Sequence, residues 1–156
     1  MQVETARIKK LLERNWTGPM WHGGWLSEIL KDISWEKAFA KPQGAKHNIY
    51  EYIRHMTAWR RFAVEHINGH NDYKLEMNSE DDWPVKYEVS EANWLHALSD
   101  LEANQTALVS SMDSITDEKL DETVPGQKIK WYVILHGIIH HDIYHSAQIS
   151  LLKNQI

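Results

Sequence analysis

Apolar residues recur at helical spacing in four stretches of the chain, and no stretch alternates apolar and polar residues as a half-buried strand does. The first stretch runs from Gln2 to Trp16 through Ala6, Ile8, Leu11 and Leu12, and Thr17-Gly18-Pro19 ends it. After the Trp/Gly-rich segment Met20 to Trp25, Leu26 to Ile33 reads as a short helix and Lys41 to Gly44 as a loop. The second long stretch, His47 to Ile67, places Ile49, Tyr52, Ile53, Met56, Trp59, Phe62 and Ala63 on one face and stops at Asn68-Gly69. The third opens at Ser90, a good N-cap, and carries Trp94, Leu95, Leu98, Leu101, Leu108, Val109 and Met112. Asp113 to Thr123 is a polar connector with room for a helical turn, closed by Val124-Pro125-Gly126. The fourth, Ile129 to Leu152, is the most apolar.

Four long helices without strands predict an all-α, four-helix bundle. A helix of about 24 residues is roughly 36 Å long, a normal bundle length. The connection from Gly69 to Glu88 is irregular and acidic, too long for a tight turn. As a crossover it lets the second and third helices run parallel. The length of 156 residues fits one domain over 1–156.

Composition narrows the chemistry. The chain has no cysteine, so disulfides, thiolate nucleophiles and iron–sulfur clusters are excluded, and any metal ligand must be His, Asp or Glu. The same absence suits a reducing cytoplasm, the expected location. A net charge of −5 argues against nucleic acid as a partner, the nearest thing to a basic cluster being Arg54, Arg60 and Arg61. No run of about 18 apolar residues exists, so no membrane-spanning helix is expected. Glu80-Asp81-Asp82 reads as a solvated acidic loop, or as the source of a carboxylate that supports a metal ligand, which nothing in the sequence selects.

Ten histidines are the unusual feature. Chance predicts about 0.6 pairs four residues apart. Three occur: His66/His70, His136/His140 and His141/His145. The first straddles the Asn68-Gly69 stop. Helical phase separates the other two. Trp131, Ile134, Ile138, His141, His145, Gln148 and Leu152 advance in steps of three and four, an inward seam. His136 and His140 lie on a neighbouring stripe with Val133, Ile143 and Ala147. Burying imidazoles requires hydrogen bonds or ligation. His55, on the apolar face of the second helix and near its middle, is the candidate third partner. Three imidazoles with an open position make a catalytic-type metal site. The alternative, histidines satisfied by hydrogen bonds in a core, stays open on this reading. His47, His66, His70 and His96 read as surface or capping residues. Trp16, Trp35, Trp59, Trp94 and Trp131 fit core or bundle-edge packing. Trp21 and Trp25, beside two glycines, are candidates for a cleft wall, and Trp21, His22, Trp59 and Gln148 form the candidate pocket set.

The stretch from Gly137 to Ile149, GIIHHDIYHSAQI, resembles the terminal-helix signature H-D-x-Y-H-x-G-Q-I of the DinB/YfiT-like superfamily. Tyr52 to Arg60 is similar to that family's other ligand-bearing helix, and Trp21-His22-Gly23 to the W-H-G segment of one subgroup. The resemblance implies a four-helix bundle holding a divalent metal, zinc or nickel, on His55, His141 and His145. It also implies metal-dependent hydrolysis or S-transfer with a low-molecular-weight thiol cosubstrate, a small-molecule substrate, no DNA role, and a homodimer as a common state. Ala147 departs from the pattern's glycine, a change that a helix tolerates. His140 adds a histidine beside His141, but one residue turns a helical side chain by about 100°, so the two cannot face one point. Two rival readings remain: a non-catalytic metal- or ligand-binding stress protein, and a metal-free structural bundle.

Overall fold

The computed structural model describes residues 3–156. Its helices are α1 (Glu4–Thr17), α2 (Leu26–Leu30), α3 (Trp35–Phe39), α4 (Ile49–Ile67), α5 (Glu91–Ser111) and α6 (Trp131–Lys153). Two 3₁₀ turns, Met112–Ser114 and Lys119–Asp121, occupy the polar connector. Among the described residues there is no strand, only an isolated bridge between Thr123 and Lys130. No helix among the described residues is long and apolar enough to cross a membrane.

The four predicted helices are present, with shifted ends. The predicted start of the first at Gln2 lies outside the described residues. The second begins at Ile49, because Asn48 and Glu51 close a reciprocal capping box one residue beyond the predicted start. Ser90 caps α5 as expected, accepting from Asn93 N–H at 3.2 Å. The fourth starts at Trp131, two residues late, because Thr123 to Lys130 is folded into the bridged turn. The short helix ends at Leu30, not Ile33, and α3, which has no long apolar period, was not expected. Its N-cap, Ser34, accepts from Lys37 N–H. The cap of α1 comes from the far side of the sequence. Asp117 accepts the N–H groups of Val3, Glu4 and Thr5, and these bonds hold its carboxyl down to about 2. Where α1 ends, Gly18 has φ +66°, and a Cβ there would meet the Trp25 ring at 2.3 Å, so only glycine fits.

Contacts fix the direction of each long helix. Tyr50 meets Asn93, Arg54 meets Asp100 and Arg60 meets Gln105, so α4 and α5 run parallel. The crossover makes this possible. Tyr52 lies against His145 and Trp59 against His141, so α6 runs antiparallel to α4.

The apolar core falls into two halves. One contains Ile8, Leu12, Phe62, Leu108, Trp131 and Leu135. The other contains Leu26, Leu30, Ile49, Ile53, Trp94 and Leu101. Between Leu101 and Leu108 on α5 sits buried Gln105. Between Ile139 and Ile149 on α6 sit His141, Asp142 and His145, and α4 faces them with His55 and Arg60. A polar layer thus crosses the middle of the bundle, and each of its members needs a partner.

Candidate metal centre

His55 and the pair His141/His145 meet across the α4–α6 contact. The Nε2 atoms of His141 and His55 are 2.8 Å apart, and those of His145 and His141 3.1 Å. One ligand atom from each residue lies within 4.8 Å of the other two. The inward seam read from the sequence has this cause: Trp131, Ile134, Ile138, His145 and Leu152 are buried, and His141 and Gln148 partly so.

The outer nitrogens decide what the inner ones offer. His55 Nδ1 is 2.6 Å from Asp82 Oδ1, which also accepts from Trp59 Nε1 at 3.0 Å. Asp82 Oδ2 accepts from Asn78 N–H at 2.8 Å. His145 Nδ1 is 2.6 Å from Gln148 Oε1. With Nδ1–H donated outward, Nε2 of both rings carries a lone pair toward the cluster. His141 Nδ1 is buried without a hydrogen-bond partner. Burial, then the neighbouring imidazoles and Arg60, pushes His141 down to about 2. Burial takes His145 to about 4 against the bond to Gln148. Burial also lowers His55 against the pull of Asp82. All three rings are therefore neutral at pH 7, the state a metal requires. In a tetrahedral zinc site the Zn–N bonds of about 2.0–2.1 Å place neighbouring nitrogens roughly 3.3 Å apart. The observed spacings need an opening of a few tenths of an ångström to reach that, so the donor set fits.

The crossover supplies the centre's outer wall. Asp82 is 2% exposed, which corrects its reading as part of a solvated loop. Its neighbour Trp83 is stacked between His55 and His47, at 3.8 Å from each ring. His47, expected to be a surface or capping residue, is half-buried and bound to Glu51 Oε2 at 2.9 Å. The role of Asp82 was not visible in sequence because a carboxylate 27 residues from its histidine, in a segment without periodicity, has no phase to read. Ligand-orienting carboxylates of this kind are worth 10–100-fold in metal affinity. Asp82→Ala should weaken zinc binding by roughly that factor, while Asp82→Asn, which keeps an acceptor oxygen, should lose less. Competition titration against a chromophoric chelator measures both.

The remaining candidates divide. Trp59 reaches the centre through Asp82 and Gln148 through His145. His22, with Trp25, Asn15 and Ser146, lines a cavity of about 200 Å³ beside α1 and α2 that none of the three histidines lines. Trp21 is 95% exposed and is not among the residues lining that cavity, which corrects its place in the pocket set. His66 is 2% exposed with Nδ1 on Phe62 C=O, so it is a core residue rather than a surface one. His70 and His96 are at the surface. His136 lies beside Tyr132, and His140 is exposed. Ala147 is exposed, so its methyl crowds nothing inside the bundle. Arg54, Arg60 and Arg61 form no basic patch: Arg54 pairs with Asp100, and Arg60 is buried on Asp142.

These elements define an all-helical bundle with a three-histidine cluster that fits a metal ion. The chain belongs to the DinB superfamily, whose sequence model matches residues 20–149. Comparison with curated proteins and with solved structures finds no match.

Proposed function

We propose that His55, His141 and His145 bind one divalent ion, zinc or nickel, and that the protein is a metal-dependent hydrolase or small-thiol S-transferase. One observation carries this reading: three neutral imidazoles point their Nε2 atoms at one place, two of them fixed in that tautomer by Asp82 and Gln148. Two of these nitrogens present lone pairs to His141, whose Nδ1 has no protein partner, and a cation would take all three Nε2 atoms as ligands. An ion held by these three nitrogens would supply Lewis acidity, lowering the pKa of a water or a thiol. The chain has no cysteine, so any thiol is a small molecule. The residues themselves orient and shield: Asp82 sets the His55 ring, Gln148 sets His145, and Trp83 covers the face of His55.

The test uses untagged protein. Zinc or nickel should be present at one ion per chain by mass spectrometry. A screen of small thiols with electrophiles, and of esters, should give turnover that His55→Ala loses. Turnover surviving in that variant would sink the metal mechanism. Stoichiometric metal with no turnover anywhere in the screen would favour the non-catalytic binding protein.

A further inference from the structure

Beside the histidine cluster lies a cleft of about 330 Å³ between the loop at residues 43–47 and the last two turns of α6. A turn closed by Ala45 N–H to Pro42 C=O shapes its outer lip. Gly44 sits in that turn at φ +85°, the conformation a type II turn demands at its third position. Its apolar lining is exposed Leu151 and buried Leu152. The volume is at the small end of ligand pockets, which run from about 300 Å³.

The lining has a one-sided chemistry. The chain carries 22 acidic residues, yet none lines this cleft, and its one full charge is Lys46. Lys46 enters no ion pair among the described residues, and the Tyr52 hydroxyl donates no hydrogen bond there, although the Tyr52 ring is buried and lies 5.2 Å from His145. Gln148 lines the same cleft, together with Gln43, His47 and Gln155. Its Oε1 must face His145 Nδ1–H for His145 Nε2 to keep its lone pair, so its amide N–H groups are left for the cleft that it lines. The Lys46 ammonium, the Tyr52 phenol and the Gln148 amide can therefore each donate here, beside the amides of Gln43 and Gln155 and the ring of His47, with Leu151 and Leu152 as the aliphatic side. A carboxylate with a short apolar chain satisfies both surfaces: charge-assisted hydrogen bonds at one end and burial of methylenes at the other.

We propose that this cleft binds the carboxylate end of an aliphatic carboxylic acid substrate, held by Lys46, Tyr52 and Gln148 next to the metal centre. The inference rests on the metal-dependent reading for the word substrate, but the binding itself does not require the metal. Recognition of a carboxylate by a lysine, a tyrosine and an amide fixes which end of the molecule is anchored. The rest then lies along Leu151 and Leu152.

The experiment adds hexanoate, and hexanol as the neutral control, to ¹⁵N-labelled protein stripped of metal with chelator, and follows amide shifts. Hexanoate should shift Lys46, Tyr52, Gln148 and Leu151, and hexanol should bind at least tenfold more weakly. Lys46→Met should lower hexanoate affinity by tenfold or more. Gln148→Glu should do the same by placing a negative charge in the cleft. Circular dichroism confirms that each variant is folded. Equal binding of acid and alcohol, unchanged affinity in folded Lys46→Met, or shifts confined to another surface would each overturn the proposal. Hexanoate binding in a protein that takes up no zinc would leave the cleft standing and remove the metal reading. Zinc uptake without hexanoate binding would do the reverse.

Discussion

Adding zinc to the metal-free protein at pH 7.5 should raise its melting temperature by roughly 10 °C, and His141→Ala should abolish the rise. An ion that binds only the folded state at about 1,000 times its Kd contributes about 4 kcal/mol. At this chain length each kcal/mol moves Tm by about 2–4 °C. The pH dependence supplies a second signature. In the metal-free fold, His145 is taken down to about 4 and His141 to about 2, and His55 is lowered too, all by burial. In the unfolded chain each titrates near about 6.5. Between these values the unfolded state binds more protons, so stability rises with pH across the window and falls as acid is added. Metal-free protein should therefore lose stability progressively from about pH 6.5 to pH 4 for His145, and further toward pH 2 for His141. The zinc-loaded protein should hold its Tm until protons displace the ion, and then fall to the metal-free curve. Calorimetric scans at a series of pH values, with zinc and with chelator, measure both curves. Identical curves would show that no folding-linked ion binds.

The bundle was legible because its signals are periodic. On α6 the three-four steps from Trp131 to Leu152 survive as the buried seam, and on α4 the same rule selects His55. Phase also separates His141 from exposed His140, one residue and about 100° away. What was not legible comes from segments without a period. Asp82 and Trp83 belong to the crossover, and their value depends on where a loop of about twenty residues lays them against α4. Nothing in Glu80-Asp81-Asp82 says which carboxylate turns inward. Trp21 misled because a tryptophan beside glycines suggests a cleft wall, whereas the cavity there is closed by Trp25 and leaves Trp21 in solvent. His66 misled for the opposite reason: its place one turn from a helix stop suggests exposure, but the core of Phe62, Leu120 and Trp131 extends over that end of α4. Arg60 is the hardest case, since long cations on a helix are usually solvated, and only a specific partner on another helix reverses that.

That partner sets up the second large effect: Arg60→Met should cost about 3–5 kcal/mol, and adding Asp142→Leu should recover most of it. Arg60 is 1% exposed and Asp142 2%. The guanidinium donates from Nη2 to Asp142 Oδ2 at 2.8 Å, from Nε to Gln105 Oε1 at 3.1 Å and from Nη1 to Met56 C=O at 3.3 Å. Gln105 passes the network on to Leu12 C=O. Burial raises Asp142 and lowers Arg60, so for each group desolvation outweighs the attraction of its partner. Buried ion pairs are as a rule weak net contributors, so removing both charges should be nearly neutral. Removing one leaves a carboxylate in an apolar interior, already short of a partner at Oδ1. The single variant carries its own pH signature. Without Arg60, the folded-state pKa of Asp142 rises further above its unfolded value near about 3.9. The stability tied to that proton is present at low pH and lost as pH rises through the folded pKa, so the penalty of Arg60→Met should shrink in acid. Urea unfolding of wild type, both single variants and the double variant at pH 5 and pH 8 closes the cycle. Additive effects would show that the two side chains do not communicate. Zinc affinity should return with stability in the double variant, because neither residue ligates. A double variant that refolds yet no longer takes zinc would give the pair a further role: fixing the register of α4 against α6, so that His55 arrives opposite His141 and His145.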